Sequence, residues 1–281
     1  MADVAIIGAG PAGISAALTL KALNKEIIWF GSGMLSEKIR KAESIRNYPG
    51  LPMVSGADMA EVMSRQVRQM DIFITEKTVT GVYSMGDYYG ILCNQDMYEA
   101  KTVIVATGVE SVKPVAGELE LLGRGVSYCA TCDGFLYKGK TIAVVCTSAD
   151  FEHEIEYLAE LAGKVYLFPL YRNCGIRREN VETVSGMPTA VAGDKKVERV
   201  VTRQGELIVD GVFFLKSAIT PSALIAGLAV ENGHVAVDRA CRTNLPGCFA
   251  AGDCTGRPYQ YVKAAGEGNV AAHSAVADLA E

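Results

Sequence analysis

The sequence lacks three features that mark other broad classes of protein. It has no excess of basic residues, because 27 Lys and Arg stand against 32 Asp and Glu and the net charge is −5, so we expect no broad nucleic-acid surface. It has no long uncharged apolar run: the most apolar window, 212–230, carries Lys216 and Pro221, which argues against a membrane span. No export signal precedes the apolar segment Val4–Ile7, which predicts a cytoplasmic protein.

The cysteines lack a second close pair. Among eight cysteines, only Cys129 and Cys132, in GVSYCATCDGF, have the CxxC spacing. Without an export signal a disulfide framework is a poor interpretation, and structural zinc needs a second such pair or a CxxH. The pair therefore predicts a reversible disulfide, with Asp133 as a candidate acid or base for the leaving thiolate. The other six cysteines are expected to be structural, although Cys248 and Cys254 could be redox-sensitive.

A dinucleotide-binding fingerprint is present at the N-terminus. The apolar strand Val4–Ile7 leads into Gly8-Ala9-Gly10-Pro11-Ala12-Gly13, then a helix to about Leu23 and a second strand, Glu26–Phe30. Gly8 permits a tight turn, Gly10 lets the backbone approach a pyrophosphate, and Gly13 lets the helix pack closely on the strand. The helix N-terminus then offers free N–H groups to the phosphates.

One part of that fingerprint is missing. A ribose-binding Asp or Glu is expected about twenty residues after the glycines, but Trp29-Phe30-Gly31-Ser32 occupies the region. Adenosine must then be held by other means, for which backbone groups at Gly31–Gly33 are the candidates.

Two later strands also end in glycine-containing turns. KTVIVATGV, residues 101–109, ends in Ala106-Thr107-Gly108, and NLPGCFAAGDC, residues 244–254, ends in Gly252-Asp253. Neither turn is informative alone. Together with the N-terminal fingerprint they resemble the three FAD-contacting segments of flavoproteins with two dinucleotide-binding domains, in which the late Asp bonds the ribityl chain.

With CATCD between these segments, the whole chain resembles the low-molecular-weight thioredoxin reductases. NYPG, 47–50, and YQYVKAAGEG, 259–268, fit the same family. The resemblance implies an α/β fold with two Rossmann-like domains, the second inserted into the first. The FAD domain would span 1–113 and 219–281, and the inserted, NADPH-domain-like module 114–218.

The resemblance also implies the roles of individual residues. Cys132 would lie against the flavin, Cys129 would attack the thioredoxin disulfide, and Asp133 would shuttle the proton. A homodimer is implied as well. The family's usual Arg-Gln-Ala appears here as Gln260-Tyr261-Val262, so ring contacts are expected to differ. The residues expected to bind FAD are Gly8, Gly10, Pro11, Ala12, Gly13, Phe30, Gly31, Asn47, Ala106, Thr107, Gly108, Gly252, Asp253, Gln260, Tyr261 and Val262.

Residues 141–161 predict the start of a βαβ unit: a buried strand, Thr141–Cys146, a turn, and then a helix with Ile155, Leu158, Ala159 and Ala162 on one face.

The inserted module thus has the scaffold of a nucleotide site without its phosphate turn. NADPH-using relatives carry GxGxxA after its first strand and an HRR-type cluster after its second. Here Cys146–Phe151 has no glycine and is followed by acids, and Phe168–Arg172 retains one arginine. Side chains on the turn and the charges of Asp150 and Glu152 would exclude a pyrophosphate. The sequence therefore predicts that NADPH is not the electron donor.

Four functions remain open at this point. The first, which we favour, is the ferredoxin-dependent flavin thioredoxin reductase. The second is a dithiol oxidase that passes electrons to oxygen, and the third is an NADPH-dependent reductase with an atypical turn. The fourth is a non-catalytic flavin-binding module. The acid beside the cysteines argues against it, because such a module has no need of that acid.

Two local basic stretches fit an acidic partner such as ferredoxin. The stretch 36–46 carries four basic residues and the stretch 171–178 carries three. The candidate docking residues are Lys38, Arg40, Lys41, Arg46, Arg172, Arg177 and Arg178.

Overall fold

The computed structural model describes residues 1–33, 35, 37–40, 42–109, 114–216 and 220–280, with the backbone alone at 37 and 38. The chain divides into two units, Met1–Val109 with Thr220–Glu281 and Glu110–Ile219. The expected boundaries at 113/114 and 218/219 fall on residues outside the described ones and stay predictions.

Alternating strands and helices open the first unit. Its N-terminal part contains β1 (Ala2–Ile7), α1 (Pro11–Ala22), β2 (Ile27–Phe30), α2 (Glu37–Arg40), α3 (Gly56–Gln69), β3 (Gly81–Ser84), β4 (Tyr89–Cys93) and β5 (Asp96–Val105). The second unit contains β6 (Val126–Ser127), α4 (Ala130–Asp133), β7 (Thr141–Cys146), α5 (Glu152–Leu161), β8 (Lys164–Pro169), β9 (Val181–Thr183), β10 (Ala190–Ala192), β11 (Arg199–Thr202), β12 (Gly205–Ile208) and β13 (Gly211–Leu215). The chain then completes the first unit with α6 (Pro221–Leu224), β14 (Val230–Glu231), β15 (His234–Val235), β16 (Cys248–Ala250) and α7 (Tyr261–Asp278).

The first unit is built on a six-stranded sheet, with five strands in the order β2-β1-β5-β4-β3 and the sixth, β16, paired with β5. The long strand β5 pairs in parallel with β1 and β16 in its second half and antiparallel with β4 in its first half. Val4, Ala5 and Ile6 of β1 are buried, as expected for a central strand of a parallel sheet covered on both faces. The carboxyl ends of β1, β5 and β16 therefore lie side by side.

The second unit has a parallel five-stranded sheet, in the order β6-β13-β7-β8-β9, and a separate antiparallel sheet, β10-β11-β12. The predicted strand and helix of its βαβ unit are confirmed as β7 and α5. The apolar face predicted for this helix, Ile155, Leu158, Ala159 and Ala162, is buried. The α/β class with parallel sheets in both units also confirms the sequence prediction.

Candidate functional site

The loop between β1 and α1 is shaped by its glycines. Gly8 has φ +117°, and an added Cβ would lie 2.6 Å from the carbonyl carbon of Ala106. On Gly13 an added Cβ would lie 3.0 Å from the carbonyl carbon of Gly8, so a side chain there would separate the helix from the loop. On Gly10 it would meet no atom of the described residues within 4 Å. The loop thus leaves an open backbone face at Gly10, as a pyrophosphate requires.

The sole tryptophan supports this loop from the core. Trp29 is fully buried in β2, and its indole Nε1 donates to the Gly8 carbonyl over 2.8 Å. The Phe30 side chain is also buried, and its ring packs edge-on against that of Tyr98 with the ring centroids 5.2 Å apart. The backbone carbonyl of Phe30 accepts the Gly8 N–H. The side chain of Phe30 therefore belongs to the core behind the loop.

The three segments predicted to contact FAD come together at one edge of the sheet. Ala106, at the end of β5, lies against Gly8, and an added Cβ on Gly252 would lie 2.9 Å from the Cβ of Ala12. The hydroxyl of Thr107 is buried and finds no hydrogen-bond partner among the described residues. An open loop, a glycine-lined edge and a buried hydroxyl without a partner fit a dinucleotide such as FAD.

A charged pair on α7, which the sequence reasoning missed, holds the Gly252–Gly256 turn. Lys263 donates to the carbonyls of Gly252 and Gly256 over 2.8 and 2.9 Å and to the hydroxyl of Thr255 over 2.8 Å. Glu267 lies 2.9 Å from Lys263 and accepts the Gly252 N–H over 2.8 Å. The i,i+4 spacing of Lys and Glu was the available signal, but it does not reveal that the pair reaches the turn.

The start of α7 lies beside the NYPG segment. Asn47 donates to the side-chain carbonyl of Gln260 over 2.6 Å, across 213 residues of sequence. Burial, and secondarily the Asp253 carboxylate, raises the pKa of Tyr261, which keeps the phenol neutral. Val262 is exposed on the first turn. The structure thus brings Asn47, Asp253, Gln260 and Tyr261 into one neighbourhood.

In the second unit, Cys129 and Cys132 are joined by a disulfide, with their Cα atoms 5.3 Å apart. Ser127 fixes the first cysteine, because its hydroxyl accepts the Cys129 N–H over 3.0 Å and donates to the Cys129 carbonyl over 3.2 Å. The Cys129 sulfur accepts the N–H of Cys132 over 3.1 Å. Cys129 is buried and Cys132 is exposed.

Three side chains modify the surroundings of this disulfide. Glu154 of α5 lies near the backbone N–H of Ala130, inside the CxxC turn; burial raises the pKa of this carboxyl, and the N–H partly offsets the rise. Sequence reasoning missed Glu154, because only the packing of α5 on α4 brings it there. Phe135 and Leu136, just after Asp133, are 68% and 63% exposed, which places apolar surface on the chain segment that follows the cysteines.

The turn after β7 differs from the loop after β1 in its glycine content, its capping and its charge. Ser148 caps it, accepting the Asp150 N–H over 3.3 Å. The carboxylate of Glu152, in the first turn of α5, accepts the Gly175 N–H over 2.8 Å and the Tyr171 hydroxyl over 2.9 Å. These two hydrogen bonds lower the pKa of Glu152, so the group is ionised at neutral pH.

The predicted docking residues fall into different environments. Arg46, Arg172 and Arg177 are exposed, and none of them forms an ion pair within the described ranges. Arg178 pairs with Glu156 and, over 3.0 Å, with Glu160, which offsets its charge. Arg40 is half-buried. Lys41 and the side chain of Lys38 lie outside the described residues.

The described part of the chain contains no group of three or more His, Cys, Asp or Glu that could hold a metal ion. None of its helices is long and apolar enough to cross a membrane. Of the six free cysteines, all but Cys174 are buried. Burial raises the pKa of Cys248 to about 11 and that of Cys254 to about 12, which makes both poor redox sensors.

Comparison with known proteins extends over almost the whole chain. The sequence model of the pyridine nucleotide-disulphide oxidoreductase family matches residues 2–147 and 175–268. A thioredoxin reductase of Listeria monocytogenes is 32% identical over 296 residues, covering 97% of this chain and 92% of the relative. The crystal structure of a ferredoxin-flavin thioredoxin reductase from Clostridium acetobutylicum matches with a TM-score of 0.90 and 48% identity, covering 99% of this chain and 98% of the other. A thioredoxin reductase from Gloeobacter violaceus matches with a TM-score of 0.76 and 28% identity, covering 98% and 92%.

Proposed function

The chain belongs to the pyridine nucleotide-disulphide oxidoreductase family, as an FAD-dependent enzyme that acts on disulfides, and from this premise we propose that it reduces thioredoxin with electrons from reduced ferredoxin. Ferredoxin as the donor is suggested by the Clostridium acetobutylicum relative, which is a ferredoxin-flavin thioredoxin reductase. Thioredoxin is suggested by the names of several relatives. A homodimer, implied by the resemblance, is part of the same proposal.

The choice of ferredoxin over NADPH as the electron donor rests on the turn after β7, where side chains of the protein already engage the groups that would bind phosphate. The N–H groups that would bind a pyrophosphate there include that of Asp150, which the Ser148 hydroxyl already engages. The ionised Glu152 carboxylate adds negative charge at the first turn of α5, where a phosphate would need positive potential. The loop after β1 differs from this turn in both respects, because α1 has neither a capping side chain nor an acid in its first turn. These features argue against NADPH as the donor.

The electron balance is consistent with a one-electron donor. Reduction of one disulfide consumes two electrons and two protons, so two reduced ferredoxins are oxidised for each thioredoxin reduced. When bound, FAD supplies the exchange between one-electron and two-electron chemistry. The residues expected to hold it are those at the carboxyl ends of β1, β5 and β16, with the Lys263–Glu267 pair fixing the turn that carries Asp253.

The two cysteines then carry the electron pair to thioredoxin. The reduced Cys129 sulfur attacks the thioredoxin disulfide, which forms a mixed disulfide and releases one thioredoxin thiolate. Cys132 next attacks the Cys129 sulfur, which restores the Cys129–Cys132 bond and releases the second thiolate. The N–H of Cys132, directed at the Cys129 sulfur, favours negative charge on that atom. Asp133 exchanges protons with the thiolates.

The thiol roles are tested by trapping. Cys132→Ser should hold thioredoxin in a mixed disulfide through Cys129, because the resolving thiol is absent. Trapping by Cys129→Ser alone would mean that the roles are reversed. Asp133→Asn should slow turnover about 10²–10⁴-fold, the range for loss of one acid–base group.

The donor is tested by anaerobic reduction of the holoenzyme, followed at the flavin absorbance band, with NADPH, NADH and reduced ferredoxin in parallel. We expect rapid bleaching by ferredoxin alone, with a rate that falls as salt rises. Arg172→Glu should lower the association rate with ferredoxin, whereas Arg203→Glu, an exposed arginine outside both basic stretches, should not. Rapid bleaching by stoichiometric NADPH would overturn the proposal. Turnover with dithiols and oxygen, without any reaction with ferredoxin, would favour the oxidase.

A further inference from the structure

The end of β2 has no room for the acid that usually binds ribose. An added Cβ on Gly31 would lie 2.6 Å from the Cβ of Ala9 and 3.1 Å from its nitrogen, and Ala9 belongs to the glycine-rich loop. Gly31 therefore cannot carry a side chain without displacing that loop. A ribose-binding acid, if the protein has one, has to come from another segment.

The segment after α3 reaches this place. The Thr75 N–H donates to the Trp29 carbonyl over 2.7 Å, and the Gly31 N–H donates to the Thr75 carbonyl over 3.3 Å. Phe30 and Thr75 form a parallel bridge, so residues 74–76 extend the sheet beyond β2. The next residue, Glu76, consequently lies at the carboxyl edge of the sheet, at the same edge as the loop of Gly8–Gly13.

The Glu76 carboxylate lies directly against Gly33. An added Cβ on Gly33 would lie 2.6 Å from the Cδ of Glu76 and 2.9 Å from its Oε2. Glu76 is nevertheless exposed, and its carboxylate has no hydrogen-bond or ion-pair partner in the part of the chain that the structure describes. By contrast, the neighbouring Lys77 is engaged by Asp96 and Tyr98. Glu76 thus presents two unused acceptor oxygens beside Gly31–Gly33.

We propose that Glu76 binds the ribose hydroxyls of the adenosine half of FAD, in place of the acid that is absent from the end of β2. A carboxylate at the carboxyl edge next to the glycine-rich loop has the chemistry that this role needs, because it accepts charge-assisted hydrogen bonds from vicinal hydroxyls. The proposal adds a side chain to the backbone groups of Gly31–Gly33, which are the candidates that the sequence offers for holding the adenosine. The proposal depends on FAD as the cofactor and not on the identity of the electron donor.

The test measures binding, using apoprotein titrated with FAD and with an FAD analogue whose adenosine ribose lacks both hydroxyls. Flavin fluorescence and the fluorescence of the single tryptophan, Trp29, report the dissociation constants. We expect Glu76→Gln to weaken FAD binding about 10- to 100-fold, as for loss of hydrogen bonds to a charged group, and to leave binding of the analogue unchanged. Glu99→Gln, an exposed acid on β5, is the matched control and should change neither constant.

Three results would overturn the proposal, two from the variant and one from the wild-type protein. One is a Glu76→Gln variant that binds FAD as tightly as the wild-type protein does. The other is a variant that binds FAD and the analogue with equally reduced affinity, since that indicates a general disturbance of the sheet edge. The wild-type protein provides a measurement free of any folding defect: it should prefer FAD to the analogue by the same 10- to 100-fold, and equal affinities would also refute the assignment.

Discussion

Replacing Lys216 by methionine should destabilise the second unit strongly, because it leaves a buried carboxylate without its counter-charge. Lys216 follows β13, and its Nζ lies 2.6 Å from Glu118, with the two side chains 5% and 0% exposed. The same Glu118 oxygen accepts the Tyr128 hydroxyl over 2.6 Å, and the other oxygen accepts the Val115 N–H over 3.0 Å. Tyr128 directly precedes Cys129, so this cluster also supports the strand that leads into the disulfide.

The expected magnitude follows from the burial of both charges. Removal of one partner of a buried pair costs about 3–5 kcal/mol, a large part of a typical total stability of about 5–15 kcal/mol. With an m-value of about 2 kcal/mol/M in urea, the unfolding midpoint of the second unit should fall by about 1.5–2.5 M. The double variant Glu118→Gln with Lys216→Met should recover part of this loss, since the amide oxygen still accepts from Tyr128 and no unpaired charge remains, whereas the amide NH2 group cannot accept the Val115 N–H.

Urea unfolding followed by circular dichroism provides the assay, and hydrogen exchange of the β6 and β13 amides assigns the transition to the second unit. The matched control is Lys164→Met, because Lys164 makes an exposed ion pair with Glu182 on the same sheet, with side chains 43% and 58% exposed. If Lys216→Met and Lys164→Met shift the midpoint equally, or if the double variant is as unstable as Lys216→Met alone, the reasoning from charge burial is wrong.

Three further predictions concern the flavin edge and the thiols. Gly10→Val should fold but purify without flavin, because an added Cβ meets no described protein atom within 4 Å and the side chain would occupy the space of the pyrophosphate. Full flavin occupancy by absorbance would refute this assignment. Lys263→Met should raise the FAD dissociation constant about tenfold, because it releases the Gly252–Gly256 turn. Lys21→Met, on the exposed surface of α1, is the control and should leave the constant unchanged. If the two variants give equal FAD titration curves, the Lys263–Glu267 pair has no role in FAD binding. Burial raises the pKa of the five buried free thiols, Cys93, Cys146, Cys241, Cys248 and Cys254, to about 11 or 12. Alkylation of the native, oxidised protein at pH 8 should therefore label Cys174 and react about 100- to 1,000-fold more slowly at the buried thiols, until the pH approaches their raised pKa. Mass spectrometry that finds the buried thiols labelled at the rate of Cys174 would contradict this prediction.

The elements that sequence reasoning predicted correctly are those whose signals are local. The β1–loop–α1–β2 unit could be predicted from apolar runs and glycine spacing, because these signals lie within about thirty consecutive residues. The same holds for β7 and α5, whose apolar face was visible as a helical period. The CxxC spacing similarly predicted the Cys129–Cys132 disulfide, since the two cysteines are one turn apart.

Charge patterns in the sequence were less reliable. The stretch 171–178 reads as uniformly basic, yet Arg178 is neutralised by Glu156 and Glu160, which lie on α5, about twenty residues earlier in the chain. Counting charges along the sequence could not predict these ion pairs, because the partners become neighbours only when α5 packs beside the segment after β8. Arg172 and Arg177 therefore remain the better candidates in that stretch.

The fold class, the family and the position of the redox pair could be predicted from the amino-acid order alone, because glycine spacing, strand periodicity and CxxC are local patterns of consecutive residues. Only the tertiary structure revealed which distant groups meet. Glu118 and Lys216 are 98 residues apart, and Glu76 reaches Gly33 because Thr75 pairs with the end of β2. The physical reason is that parallel pairing brings the carboxyl ends of strands to one edge whatever their order along the chain. The residues collected at that edge carry no mutual signal in the sequence.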